Sequence, residues 1–411
     1  MKTAGAAGLG SVWGLASASA EANEPNAPGK RKLTQYPQVP RRKLGKTRVE
    51  VPVLSIGVSF DMLNNQAFLR NAVQWGVNYW DTCPYYAGGN GQLGIGKFLS
   101  KNPGVREKIF LASLSGTTTH SPKIMDEANV EHNLQTSLQK MNTEYLDLYY
   151  GVYGMTDPSQ LTEEVRQWAQ NAKKRKLIRF FGISTHKNMA QCLMAASKLD
   201  WIDVIMTAYN FRLVNDAKLQ AAIEACHKAG IGLVAMKTLG LWSKGGGGKI
   251  PEAEEYEKMV GHFRQSGFTD AQAKIKLVLE NKKFTTACVG MRSVAVLTSN
   301  VAAVLDKTKL TQEDTNVLGK YAKTTCSGYC AGCANICDSI LPNVSCVSDI
   351  MRYLMYYNSY GDRDRARELF AKIPANVRNK LLRTDYSIAE THCPQHIPIS
   401  KLITEAVRKL A

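Results

Sequence analysis

Acidic residues are scarce in this 411-residue chain: 35 Asp and Glu stand against 52 Lys and Arg, a formal charge of +17. Long apolar runs are missing as well. A membrane-crossing helix takes about 20 consecutive apolar residues, and no segment offers them, so no transmembrane span is read. A basic balance favours acidic partners. The cations, however, are spread as "KKRK" at 173–176, "DRDRAR" at 362–367 and many singles, without interleaved aromatics. Such a pattern reads as solvated faces, not as a nucleic-acid groove. Cysteine is sparse over most of the chain: Cys83, Cys192, Cys226 and Cys288 are scattered, while Cys326, Cys330, Cys333, Cys337, Cys346 and Cys393 crowd its last fifth. That unevenness excludes a disulfide scaffold and points to a metal.

An apolar content of 44% is enough for a full core, as one large domain plus a small one. The opening "MKTAGAAGLGSVWGLASASAEANEPNAPGKRK" joins a Lys to a Gly/Ala-rich, weakly apolar run, then small residues before a polar, Pro-containing stretch. That is the layout of a cleavable signal. It resembles the downstream half of a twin-arginine signal, although the arginine pair is absent. Residues 1–39 are therefore read as a signal-like segment and linker, with export to the periplasm expected and a cytoplasmic tail as the alternative.

From about Arg41, short β-rich runs alternate with helical patterns. "VLSIGV", "VNYWDT", "KIFLASL", "YLDLYYG", "IRFFGIS", "DVIMTAY", "GLVAMK" and "TTACVGM" are the strand candidates. Strict βα alternation predicts a parallel sheet closed into a (β/α)8 TIM barrel, an α/β fold, over residues 40–320. Its functional residues would follow the strand C-termini.

Those stretches resemble the aldo/keto reductase family. "RRKLGKTRVEVPVLSIGV" looks like the family's entry hairpin and first strand, and "AVQWGVNYWDTCPYYAGGNGQLGIGKFL" like its second strand and active-site loop. "LIRFFGISTH" and "TAYNFRL" are similar to segments that hold the nicotinamide, and "VGMRSVAVLTSN" to the segment that grips the adenosine phosphate. The resemblance implies NADP(H) as cofactor, with Ser184, Tyr209, Arg292, Ser293 and Asn300 as its contacts. It also implies carbonyl reduction by a Tyr acid tuned by Asp and Lys and helped by a His. Asp81 and Tyr86 match the first two roles. Leu114 stands where the Lys belongs and Val152 or Tyr153 where the His belongs, with Lys237, His120 and His186 as possible substitutes. Without a neighbouring ammonium a Tyr keeps a pKa near 10.

"CSGYCAGCANIC" separates its cysteines by three, two and three residues, close to the ferredoxin run whose thiolates hold a four-iron, four-sulfur cluster. About sixty residues on, "CPQHIPI" resembles the second motif of ferredoxin-like extensions. The remaining positions of a second cluster hold Arg383, Tyr386 and Ala389. Residues 321–411 are thus read as a mainly helical, ferredoxin-like domain with one 4Fe-4S cluster on Cys326, Cys330, Cys333 and Cys393. Cys337 is the alternative ligand and Cys346 a core residue. Four thiolates also suit zinc, and a disulfide stays open. The favoured function is an oxidoreductase acting on a small-molecule substrate or an electron-transfer partner, with the cluster as relay. The rivals are a non-catalytic binding protein with a structural metal, and an exported enzyme using no nicotinamide, with Cys83 and Tyr85 beside Tyr86.

Overall fold

Period-two alternation along the β-rich runs decides the architecture. The computed structural model describes residues 36–115, 127–240, 253–325 and 329–411. Residues 1–35 of the signal-like segment and linker, His120, the glycine-rich stretch at 241–252 and Cys326 lie outside the described residues. A hairpin, β1 (Arg41–Lys43) and β2 (Glu50–Pro52), precedes the main sheet. Eight parallel strands then close into a barrel: β3 (Leu54–Gly57), β4 (Tyr79–Thr82), β5 (Phe110–Leu114), β6 (Leu146–Met155), β7 (Ile178–Thr185), β8 (Val204–Ala208), β9 (Gly232–Met236) and β10 (Phe284–Val289). Each strand pairs with its successor, and β10 returns to β3.

The helices between strands are α1 (Gln66–Gln74), α2 (Asn90–Lys101), α3 (Glu127–Lys140), α4 (Glu163–Lys174), α5 (Met189–Ala196) and α6 (Ala217–Lys228). Two more, α7 (Ala253–Gln265) and α8 (Asp270–Glu280), link β9 to β10, and α9 (Val294–Leu305) and α10 (Gln312–Thr324) follow. Alternate residues face opposite ways. Tyr79, Ala112, Leu148, Tyr150 and Met206 fill the interior, and the hairpin's Leu44 and Val51 join them. Trp80, Leu111, Tyr149, Phe181 and Ile205 face the helices.

One strand breaks the rule. The register of β6 against β7 shifts between Tyr150 and Val152 and again before Met155. Gly151 permits the first shift, because a Cβ there would lie 2.4 Å from the Phe181 ring. Such a bulge re-aims the side chains beyond it. Val152 consequently packs outward and Tyr153 turns into the barrel.

Beyond the barrel lie α11 (Ala334–Ile340), α12 (Val347–Met355), α13 (Arg363–Ala371), α14 (Ala375–Arg378), α15 (Ser387–His392) and α16 (Ile399–Leu410). These helices have an apolar core of their own, to which α16 contributes Ile399, Ile403, Ala406 and Leu410 at helical spacing. Cys346 is buried in that core. Residues 37–411 nevertheless form one compact unit. α10 runs across the boundary expected at 320–321. Among the described residues no helix is long and apolar enough to cross a membrane.

Candidate functional site

The barrel mouth is built from strand C-termini, starting with β4. Its alternation turns Asp81 inward, where the carboxyl is 3% exposed and Oδ2 has no hydrogen-bond partner among the described residues. Burial without a cation beside it lifts the carboxyl well above the usual carboxylate range. Cys83 is also buried, and its thiol is pushed up to about 12, mainly by burial. Tyr86 N–H then donates to Cys83 O (3.1 Å), and a tight turn with Ala87 and Gly88 in the left-handed region follows. The turn separates two neighbouring tyrosines. Tyr85 is half exposed and its hydroxyl donates to Asn133 Oδ1 (2.9 Å), whereas Tyr86 packs against the barrel interior. Burial raises the Tyr86 phenol well above its ordinary value, and the Tyr153 hydroxyl, Cys83 and Asp81 add to the effect.

Among the described residues, the neighbouring strands place no cation against this group. Leu114 closes β5 inside the barrel. Tyr153 of β6 faces inward, and burial raises its phenol while Arg352 and Arg365 pull the other way. On β7, Ser184 is 1% exposed and its Oγ accepts from Gly154 N–H (3.0 Å). Beyond β9 stands Lys237, with φ +55°. Its ammonium has no ion-pair partner among the described residues. Burial, reinforced by Arg352 and opposed by Cys330, lowers its pKa to about 7.

The other sequence-predicted residues lie elsewhere. Tyr209 is 3% exposed; its ring stacks on Phe284 at 4.4 Å in the layer between strands and helices. Its hydroxyl accepts from Gln220 Nε2 (3.2 Å) and Asn281 Nδ2 (3.1 Å). Ser293 caps α9, accepting from Val296 N–H (3.3 Å), and is exposed with Arg292. Asn300 is buried on the same helix.

The C-terminal unit is clamped over the ends of β7, β8 and β9. Tyr329 OH accepts from Asn210 Nδ2 (3.2 Å), Gly332 O from Asn188 N–H (2.7 Å), and Asn188 Oδ1 from Asn335 N–H (2.9 Å). Gly332 has φ +77°, and a Cβ would lie 2.2 Å from His186 O, so only glycine fits. Lys187 Nζ pairs with Asp349 (3.1 Å) and Asp338 (3.3 Å). Arg352 of α12 donates to His186 Nε2 through Nη1 and to Asp349 Oδ1 (3.0 Å) through Nη2. Burial, then the charges of Lys237, Arg352 and Lys187, hold His186 well below its ordinary pKa, in the neutral form. After α12 the chain makes a π-helical turn, Tyr356–Tyr360, the kind of irregularity often found at functional sites. It brings Tyr356 within electrostatic range of Tyr153 and Tyr86.

Four cysteines share one recess in this unit: Cys330, Cys333, Cys337 and Cys393, among Ile336, Val347, Met351 and Ile399. All four are free thiols. Burial pushes Cys330 up to about 12 and Cys333 to about 11, and raises Cys337 too. Cys337, expected only as an alternative, is thus a full member of the group. The sequence reading missed Arg352 altogether, since nothing local marks one arginine beside Asp349 on α12 as aimed at a barrel.

The model of the aldo/keto reductase family matches residues 56–322. L-galactose dehydrogenase of Arabidopsis thaliana is 26% identical over 284 residues, covering 64% of this chain and 88% of that protein. Protein tas of Escherichia coli is 24% identical over 323 residues, covering 66% and 93%. Among solved structures, an aldo-keto reductase from Bacillus halodurans in its holo form superposes with a TM-score of 0.56 at 22% identity, over 69% of this chain and 96% of that one. The family match runs from β3 into α10, the same span over which the strands close and their C-terminal ends converge on Asp81 and Tyr86, and the chain belongs to the aldo/keto reductase family.

Proposed function

We propose that this chain is an oxidoreductase whose barrel-mouth site works beside a four-iron, four-sulfur centre held by Cys330, Cys333, Cys337 and Cys393, with Cys326 the alternative to Cys337. The observation that carries this reading is the convergence of four free thiols on one apolar recess among the helices beyond the barrel. As neutral buried thiols they gain little there, whereas metal binding would draw off their protons and offset the burial of charge. No His, Asp or Glu enters the lining. As placed, no group of three His, Cys, Asp or Glu among the described residues is set to hold a metal ion. Four thiolates also suit zinc; the ferredoxin-like spacing of the cysteines is what favours the iron–sulfur centre. When bound, the centre takes up and returns single electrons.

The chain's own residues handle protons and position. Burial raises the Asp81 carboxyl well above the usual carboxylate range and lifts the phenols of Tyr86 and Tyr153 as well. By likeness to the family, Leu114 stands where a lysine would tune the tyrosine; with it absent, Asp81 is the better proton donor. Arg352 and Lys237 bias the mouth toward a small substrate with an anionic or electron-rich group.

NADP(H) fits only at one end. Arg292 and Ser293 are exposed at the start of α9, in keeping with a phosphate contact. At the other end Ser184 is committed to Gly154, and Tyr209 to Phe284, Gln220 and Asn281. Residues 329–335 cross β7–β9 besides, so no step is drawn through the nucleotide. Export through a twin-arginine-like signal would agree with an electron source other than a soluble nicotinamide.

Anaerobic purification of the full chain, with iron, sulfide and zinc quantified and reduction followed by electron paramagnetic resonance, tests the reading. About four irons and four sulfides per chain, with a dithionite-reducible signal, is the expected result. Zinc alone, or a centre that neither dithionite nor NADPH reduces, would favour the non-catalytic reading, to which Asp81 Oδ2, without a partner among the described residues, and the apolar Leu114 already lend weight.

A further inference from the structure

The π-helical turn after α12 presents the half-buried ring of Tyr357. Gly361 follows in the left-handed region (φ +69°) and turns the chain back, so that α13 starts beside that ring. Arg363 and Arg367, one helical turn apart, each hold the guanidinium carbon 5.3 Å from the ring centroid. Lys409, near the end of α16, brings Nζ to 5.7 Å from the same centroid. Three cations from two helices thus meet on one aromatic side chain. In the sequence "DRDRAR" reads as a solvated face; the fold adds Tyr357 and Lys409 to it.

Most of that charge is unmatched. Lys409 pairs with Glu405 and donates to Asn358 Oδ1 (2.8 Å), while Glu368 takes Arg365 and Lys372. Among the described residues neither Arg363 nor Arg367 has an ion-pair partner, and the exposed Asp362 and Asp364 flank Arg363 without pairing with it. Arg367 Nε donates to Lys409 O (3.2 Å), which fixes the side chain and leaves its Nη groups without a partner among those residues. Like charges one helical turn apart repel, and a ring face offsets this only in part. A carboxylate bridging the two guanidinium groups removes it.

We propose that the Arg363, Arg367 and Lys409 cluster on Tyr357 is a docking site for an acidic protein, whose surface carboxylates the two guanidinium forks take up. Planar forks match carboxylates, and a formal charge of +17 draws such a partner in from a distance. Asp362 and Asp364 at the rim suit a surface of mixed charge and oppose the continuous negative face of a membrane. The cluster is the same whatever the cysteines hold.

The test is binding of a fluorescein-labelled oligoglutamate peptide to the full-length protein, followed by fluorescence anisotropy at low and at physiological salt. Binding that weakens with salt is expected for wild type. R363Q/R367Q is expected to bind several-fold more weakly, with R363K/R367K in between because lysine lacks the fork. K174Q/K176Q, which removes the same charge from exposed positions of the barrel, is expected to match wild type. Equal weakening in the R363Q/R367Q and K174Q/K176Q proteins would mean that net charge alone attracts the peptide, and overturns the proposal. Absence of binding to wild type at low salt overturns it as well. Displacement of the peptide by inorganic phosphate, at an ionic strength where chloride does not displace it, would assign the cluster to phosphate instead. Should R363Q/R367Q fail to fold, a wild-type affinity in R363K/R367K would overturn the role of the forks.

Discussion

Asp81 sets how the barrel mouth responds to pH. Its carboxyl is raised in the folded protein by burial, so between the unfolded value near 4 and the folded one the native state holds a proton that the unfolded chain has released. Stability contributed by this group is therefore complete below about pH 4 and falls as pH rises toward the folded value. Asp81→Asn removes the dependence. In urea unfolding from pH 4 to pH 9, the variant is expected to match wild type at the acid end and to become progressively more stable than it above. Parallel curves across the range would show that the carboxyl is not held protonated. Among the cysteines, Cys337→Ser is expected to lower bound iron several-fold by direct assay. Cys346→Ser, a change in the apolar core outside the recess, is expected to leave iron content intact. Equal loss from both would mean that the recess is not the metal site.

At the level of elements, β6 and the segment after α10 hold the site in shape. Simple alternation from Tyr150 would turn Val152 inward; the bulge at Gly151 turns Tyr153 inward instead. That is why the sequence left two candidates at this position. Gly332 does comparable work between the two cores. Gly332→Ala would drive a methyl into the His186 carbonyl and force a left-handed alanine, together costing about 1–3 kcal/mol. Differential scanning calorimetry is expected to show a lower melting temperature, with hydrogen exchange rising first at Asn188 and Asn335, which bond across the contact. Faster exchange confined to the strands would contradict that role.

On the scale of the whole molecule, two apolar cores meet through polar clamps: Lys187 with Asp338 and Asp349, Arg352 with His186, and Tyr329 with Asn210. Clamps of this kind tie the units while leaving each core to its own packing. Ile403, fully buried in α16, is the place to separate them. Ile403→Ala is expected to cost about 2–5 kcal/mol and to release the cysteine unit before the barrel melts. Two steps in denaturant unfolding, with barrel circular dichroism surviving the first, would be the sign. A single unchanged transition would mean that the units fold as one.

The sequence by itself determined the barrel, its family and the crowding of cysteines, because period-two runs, helical spacing and short ligand spacings are local properties of the chain. That Asp81 ends a barrel strand and that Cys330, Cys333, Cys337 and Cys393 lie together was legible for that reason. Tertiary structure alone decided the rest. Arg352 reaches His186 across 166 positions, the Lys237 carbonyl and the Tyr329 hydroxyl share the Asn210 amide, and Tyr209 turns into the helix layer to stack on Phe284. None of these has a local signal, since which way a side chain points beyond a bulge or a left-handed residue depends on packing between segments far apart in the chain.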